Sequence, residues 1–150
     1  MKLTITASAL TMLAFTAPIA VRAADGPMGV ERVARETRDN YEVSGDGTDD
    51  AIRWVQIDLG KLLPIDQVKM FPVIEWTPIS QGFPSRFKIE ISDDADFHNA
   101  RVVTDQTGAD FPRPADEVAI FSGGGQSARY VRLTATHLRE GRLSLSKFEV

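Results

Sequence analysis

The sequence predicts an all-β fold: a β-sandwich, with a barrel as the other closure, of about eight short, mainly antiparallel strands. Two observations carry this. Apolar residues alternate with polar ones over short runs, the period-2 pattern of strands with one face turned inward. Clusters of Gly, Pro, Asp and Ser separate those runs at turn spacing. A third observation removes the main competitor. No alternation with long helical segments is visible, which disfavours a sheet crossed over by helices.

The chain opens on a targeting pattern. Met1 and Lys2 give a short positive start, Leu3 to Val21 is apolar and small, and Val21-Arg22-Ala23 offers a cleavage site after Ala23. Residues 1–23 therefore read as a signal peptide. Pro18 and the interspersed Thr and Ser disfavour an uncleaved spanning helix, so no membrane span is expected in the mature chain. Residues 24–45 form a lead-in. Within it Val30, Val33 and Ala34 sit at helical spacing, while Glu42-Val43 supports a strand instead. GDGTDD, Gly45 to Asp50, is a loop by composition.

The sandwich is expected over residues 46–150, organised around RWVQIDLGKLLPIDQVKMFPV, Arg53 to Val73. This stretch reads as two strands. Val55, Ile57 and Leu59 alternate in the first, Val68 and Met70 in the second. Gly60 and Pro64 suggest a turn between them. Ile74 to Trp76 continues the second strand until Pro78. After the loop Thr77 to Ser85 comes RFKIEIS, with Phe87, Ile89 and Ile91 inward. Asp93 to Ala100 is a turn anchored by Phe97. Arg101 to Thr104 is a short strand, and Phe111 tucks under the long connection 105–114. Glu117 to Phe121 is a strand, Ser122 to Ser127 a glycine-rich turn, and Tyr130 to Ala135 a strand with Val131, Leu133 and Ala135 inward. In the last segment, Arg142 to Val150, the apolar parity changes from Leu143 and Leu145 to Phe148 and Val150. A bulge near Ser146 would do that.

Bulk properties exclude several functions. At 43% hydrophobic and 25% charged residues, the chain can build one core. It has no cysteine, which removes disulfide frameworks, zinc-thiolate sites and thiol catalysis. The net charge is −4, and loss of Lys2 and Arg22 with the signal peptide takes it to −6. Nucleic-acid binding wants a basic stripe instead. His98 and His137 show no metal-protease spacing. Asp93, Asp94 and Asp96 fit a turn whose side chains bond their own backbone. Gly123 to Gly125 lacks the Lys-Ser/Thr of a phosphate loop, and no G-x-S-x-G elbow is present.

Five motifs in order carry a resemblance: WVQIDLG, a hydrophobic strand, FPSRFKIEISDDADF, ARYVRLTAT and LSLSKFEV. They resemble discoidin domains, also called coagulation factor 5/8 type C domains, which include family 32 carbohydrate-binding modules. The resemblance spans Asp46 to Val150. It implies an eight-stranded jelly-roll sandwich of the galactose-binding-like type that is non-catalytic and recognises a glycan, or at times a lipid headgroup or protein, through loops at one end. It also implies attachment to, or partnership with, a secreted enzyme. The structural calcium of sugar-binding members would here fall to Asp46, Asp49 and Glu149. Two departures weaken this expectation. GDGTDDAIRW matches the family's first loop only loosely, and Lys147 stands where relatives carry Glu.

A sugar site needs a ring for its C–H face and nearby polar readers for its hydroxyls. Trp76, Gln81 and Phe83 in one loop, with His137 and Arg139 near another, are the candidates. Trp76 and Phe83 could instead cover the core end. Trp54 is assigned to the core or its edge, and Arg86 to an ion pair with an unnamed acid. The expected function is a secreted or periplasmic carbohydrate-binding module. The alternatives are a protein or cell-surface adhesion module, and the N-terminal piece of a secreted hydrolase.

Overall fold

The structure is a computed structural model and describes residues 29–32, 41–44, 48–74 and 80–150. Among these it is all strand: β1 Gly29–Arg32, β2 Tyr41–Ser44, β3 Arg53–Phe71, β4 Arg86–Ser92, β5 Arg101–Asp105, β6 Ala119–His137, β7 Arg142–Leu145 and β8 Lys147–Glu149. One sheet runs β1-β3-β6-β4-β5, with β8 also paired to β3, and a second pairs β2 with β7. All pairings are antiparallel except β1 with β3. No described helix is long and apolar enough to cross a membrane. The expected signal peptide lies outside the described residues.

β3 and β6 form the spine, and here the structure corrects two expectations. Gly60 and Pro64 do not reverse the chain: β3 is continuous for 19 residues. Leu59 to Leu62 stand opposite Arg129 alone, so the ladder bulges. Gly60 adopts φ 78°, the left-handed geometry such a bulge uses. Likewise the glycine-rich stretch does not end a strand. Gly123 to Gly125 stand opposite Asp66 within the continuous strand β6. The same residues that make turns also make bulges, and only the partner strand distinguishes the two.

The lead-in supplies two strands to the sheets. Gly29–Arg32 is strand, not helix, and aligns from Gly29↔Trp54 to Arg32↔Ile57. Tyr41–Ser44 is the strand expected at Glu42-Val43. Near Ser146 the parity change has a different cause from a simple bulge. The chain leaves β2's sheet and joins β3's at that residue. Ser146 anchors the switch: its N–H donates to the Phe71 carbonyl at 2.9 Å and its hydroxyl to the Pro72 carbonyl at 2.8 Å.

The core follows the alternation. Val55, Ile57, Phe87, Ile89, Ile91, Val131, Leu133 and Ala135 are wholly buried and join Val68, Met70, Leu143, Leu145 and Phe148 in one cluster. Fully burying each large side chain contributes about 1.5–3 kcal/mol. At one end the rings interlock. Phe111 lies 5.3 Å from Phe87, 6.0 Å from Phe121 and 6.1 Å from Phe83 between centroids.

The outer face carries a second packed device. Arg132 lies over the Phe97 ring at 4.0 Å and the Trp54 ring at 4.9 Å. Its guanidinium donates twice to Gln56 Oε1, at 2.6 and 2.8 Å. Trp54 and Phe97 are thus half-buried partners of a cation.

Candidate functional site

β3, β4 and β6 share one pole of the sandwich. Arg53 lies opposite Ala135, and Arg86 opposite His137. Loops 48–52, 80–85, 106–118 and 138–141 converge there and are tied by named bonds. Leu138 N–H donates to the Asp49 carbonyl at 2.6 Å, and Gly141 N–H to Asp49 Oδ1 at 2.9 Å. His137 Nδ1 lies 2.9 Å from Asp50 Oδ1, on a carboxylate 93% exposed. Ser85 donates its N–H and its hydroxyl to the His137 carbonyl, at 3.0 and 3.2 Å. Arg139 donates to the Phe83 carbonyl at 3.3 Å and the Phe111 carbonyl at 2.5 Å.

Arg86 finds the acid its position called for. Its Nε donates to Asp110 Oδ1 at 2.7 Å, which holds the Asp110 carboxyl below the usual aspartate value. Burial, and then the nearby Arg113 guanidinium, pull Arg139 below the ordinary arginine value, though a guanidinium stays charged throughout. Beside Arg139, Arg113 pairs with Glu140 at 2.6 Å.

Backbone strain is concentrated at this pole. Among the described residues four non-glycines have φ near +60°, and three of them, Ser80, Ala115 and Glu140, lie in these loops. Each such residue costs on the order of 1–3 kcal/mol and persists only where its surroundings enforce it. Here they do. Ser80 is buried, donates its hydroxyl to the Ala115 carbonyl at 2.5 Å, and donates its N–H to the Val73 carbonyl at 2.8 Å. Gly82 follows at φ 75°, where an added Cβ would sit 2.7 Å from Ser144 Oγ.

The sequence candidates divide. Gln81, His137 and Arg139 come together at this pole. Gln81 sits between Ser80 and Gly82 and has no side-chain partner among the described residues. Phe83 is corrected: it is 0% exposed, and its ring belongs to the Phe87 and Phe111 cluster, with no face open to a ligand. Trp76 lies outside the described residues. Glu140, beside Arg139 in the last loop, also lies at this pole, and Arg113 enters the site with no sequence motif to announce it. The only signal for Arg113 was its place between Pro112 and Pro114, which restrict the backbone on both sides.

The residues described do not fit the implied calcium. Asp46 lies outside the described residues. Asp49 precedes the start of β3, while Glu149 pairs with Lys69 near its end. Glu149 is also engaged by two ammoniums, Lys69 at 3.0 Å and Lys147 at 2.5 Å. Calcium gathers its oxygens at 2.3–2.6 Å, so these two carboxylates cannot share one ion. Elsewhere, ligand atoms of Asp94, Asp96 and His98 lie within 4.8 Å of one another. Asp94 there caps its own turn, accepting the N–H of Asp96 at 2.8 Å and of His98 at 3.1 Å.

The described strands thus form an all-β domain of two sheets with polar loops gathered at one pole. The sequence profile described as the F5/8 type C domain matches residues 27–148, and the chain belongs to that family. Solved structures with the same fold include the family 32 CBM of Clostridium perfringens NanJ in complex with galactose. It is 13% identical, with a TM-score of 0.52 over 77% of this chain and 93% of that one. A chitosan-binding module in complex with chitotriose, from a Paenibacillus chitosanase/glucanase, is 18% identical, with a TM-score of 0.50 over 75% and 94%. A putative chitobiase fragment from Bacteroides thetaiotaomicron is 17% identical, with a TM-score of 0.57 over 74% and 67%. A search of curated proteins finds no match.

Proposed function

We propose that this pole binds a glycan, and that the chain is an exported, non-catalytic carbohydrate-binding module accessory to a larger glycan-processing protein. The observation that carries the reading is the pole itself. Four loops are locked into one frame, and polar groups of Gln81, Asp50, Arg113 and Glu140 stand at its surface. Sugar hydroxyls are read by such amides and charged groups, and a preformed frame keeps the ordering cost low. The ligands named for related folds, galactose, chitotriose and 4,5-unsaturated mannuronic acid, support a saccharide partner. The histidines argue against an independent enzyme built on them. His137 is level with Arg86 at the start of β4, and His98 follows its far end.

The test is a glycan array probed with the purified chain lacking residues 1–23, with and without a chelator. Binding to a defined sugar under both conditions is expected. A folded chain that holds no glycan in either condition ends this reading and moves adhesion to a protein or cell surface ahead.

A further inference from the structure

Arg113 joins two loops of the pole. Its Nη1 donates to the Ser80 carbonyl at 3.2 Å, and its Nη2 to Glu140 Oε1 at 2.6 Å. The other oxygen of that carboxylate accepts the Gly82 N–H at 2.9 Å. Arg113 thus binds the backbone on one side of Gln81 directly and the backbone on the other side through Glu140. Ser80, on one flank, has the left-handed conformation that an L-residue leaves when nothing enforces it. Glu140, the other anchor, has it too.

We propose that Arg113 is the positioning residue of the glycan site. It orients the Glu140 carboxylate toward Gly82 and so fixes the turn that presents the Gln81 amide to a sugar hydroxyl. This rests on the reading of the pole as a glycan site. Arg113 need not touch the sugar. Nor does the fold depend on it, because the same loop is fixed independently by the buried Phe83 ring and by the Ser80 N–H on the Val73 carbonyl. Without Arg113, the Glu140 carboxylate is free to turn to water, and the Gly82 N–H loses its acceptor. The turn then spends only part of its time in the binding geometry, and the apparent affinity falls by that fraction.

The experiment uses the full mature chain and two readouts. Hydrogen exchange at the Gly82 amide needs no ligand, and calorimetric titration uses galactose and chitotriose. Arg113→Gln and Glu140→Ala should each speed Gly82 exchange and raise Kd about tenfold, with an unchanged thermal midpoint. The double variant should be no worse than either single one, because both break the same link. Glu140→Gln keeps one acceptor oxygen, which can serve Gly82 or Arg113 but not both, and should lie between the wild type and Glu140→Ala. Unmoved Gly82 exchange in Arg113→Gln overturns the proposal, as does unmoved Kd in a chain that binds. A thermal midpoint that falls in step with affinity makes Arg113 a structural prop and also overturns it. A wild-type chain that binds neither these two sugars nor any glycan on the array defeats the glycan reading itself, while exchange still reports whether the link to Gly82 exists.

Discussion

Lys147 and Glu149 point the same way from β8, the ammonium 2.5 Å from the carboxylate. Across the strand pair, Lys69 meets the same carboxylate at 3.0 Å, and the Lys147 ammonium lies 4.4 Å from the Phe71 ring centre. Side-chain cations thus already neutralise this carboxylate. The thermal midpoint of the wild-type chain should therefore be the same in calcium and in chelator. A saturable rise with calcium would show a bound ion, because a ligand held only by the native state stabilises it.

Phe83→Ala should act on the fold. The ring is fully buried between Phe87 and Phe111, so truncation opens a cavity and costs about 3–5 kcal/mol. Urea denaturation followed by tryptophan fluorescence measures this. A variant of unchanged stability that has lost only ligand binding would put the ring at the surface.

Gly82→Ala should damage fold and site together. The left-handed backbone alone costs alanine about 1–2 kcal/mol. The new methyl would also press on Ser144 Oγ at 2.7 Å and Arg142 Cγ at 2.9 Å. Gly60→Ala, with nothing within 4 Å of the new carbon, should show the backbone part without the collision. Equal losses of stability at the two positions would contradict this.

Acid should weaken the fold through its paired carboxylates. Arg129 grips Asp58 with two bonds of 2.8 Å. The Arg129 bond, then the Gly60 N–H, outweigh burial and hold the Asp58 carboxyl below its ordinary 3.8. Lys147 and then Lys69 do the same for Glu149 against 4.5. A carboxyl whose folded pKa is depressed gives stability that is present above the unfolded value and lost as pH falls through the folded one. The midpoint should hold above about pH 5 and decline below it. Asp58→Asn should lower the plateau and flatten the decline. A midpoint that rises on acidification would reverse the sign.

The core was legible because each inward residue reports on itself. Val55, Phe87, Leu133 and their neighbours alternate with polar residues whatever strand lies beside them. Gly60 and Gly123 were misread because local chemistry gives a bulge and a reversal the same residues. Phe83 was misread for a related reason. Its loop composition says surface, while the rings that bury it belong to Phe87 in the next strand and Phe111 in a connection far along the chain. The site shows the same limit. Gln81, His137 and Arg139 were proposed from residue type and loop position, and they lie at one pole. Arg113 was not, because its importance lies in what it bridges, Ser80 and Glu140, and neither bridge is local in sequence.

The long β3–β6 ladder has a consequence for how the chain reaches this structure. Met70 must find Ala119 and Arg53 must find Ala135 before either strand gains its central partner. Closing such large loops ahead of any reward makes a slow folder, in the millisecond-to-second class of β-rich domains. During that interval the half of the chain already made exposes an apolar strand with an open edge. Truncation ahead of Ala119 should therefore give no smaller folded domain, only a segment prone to aggregate.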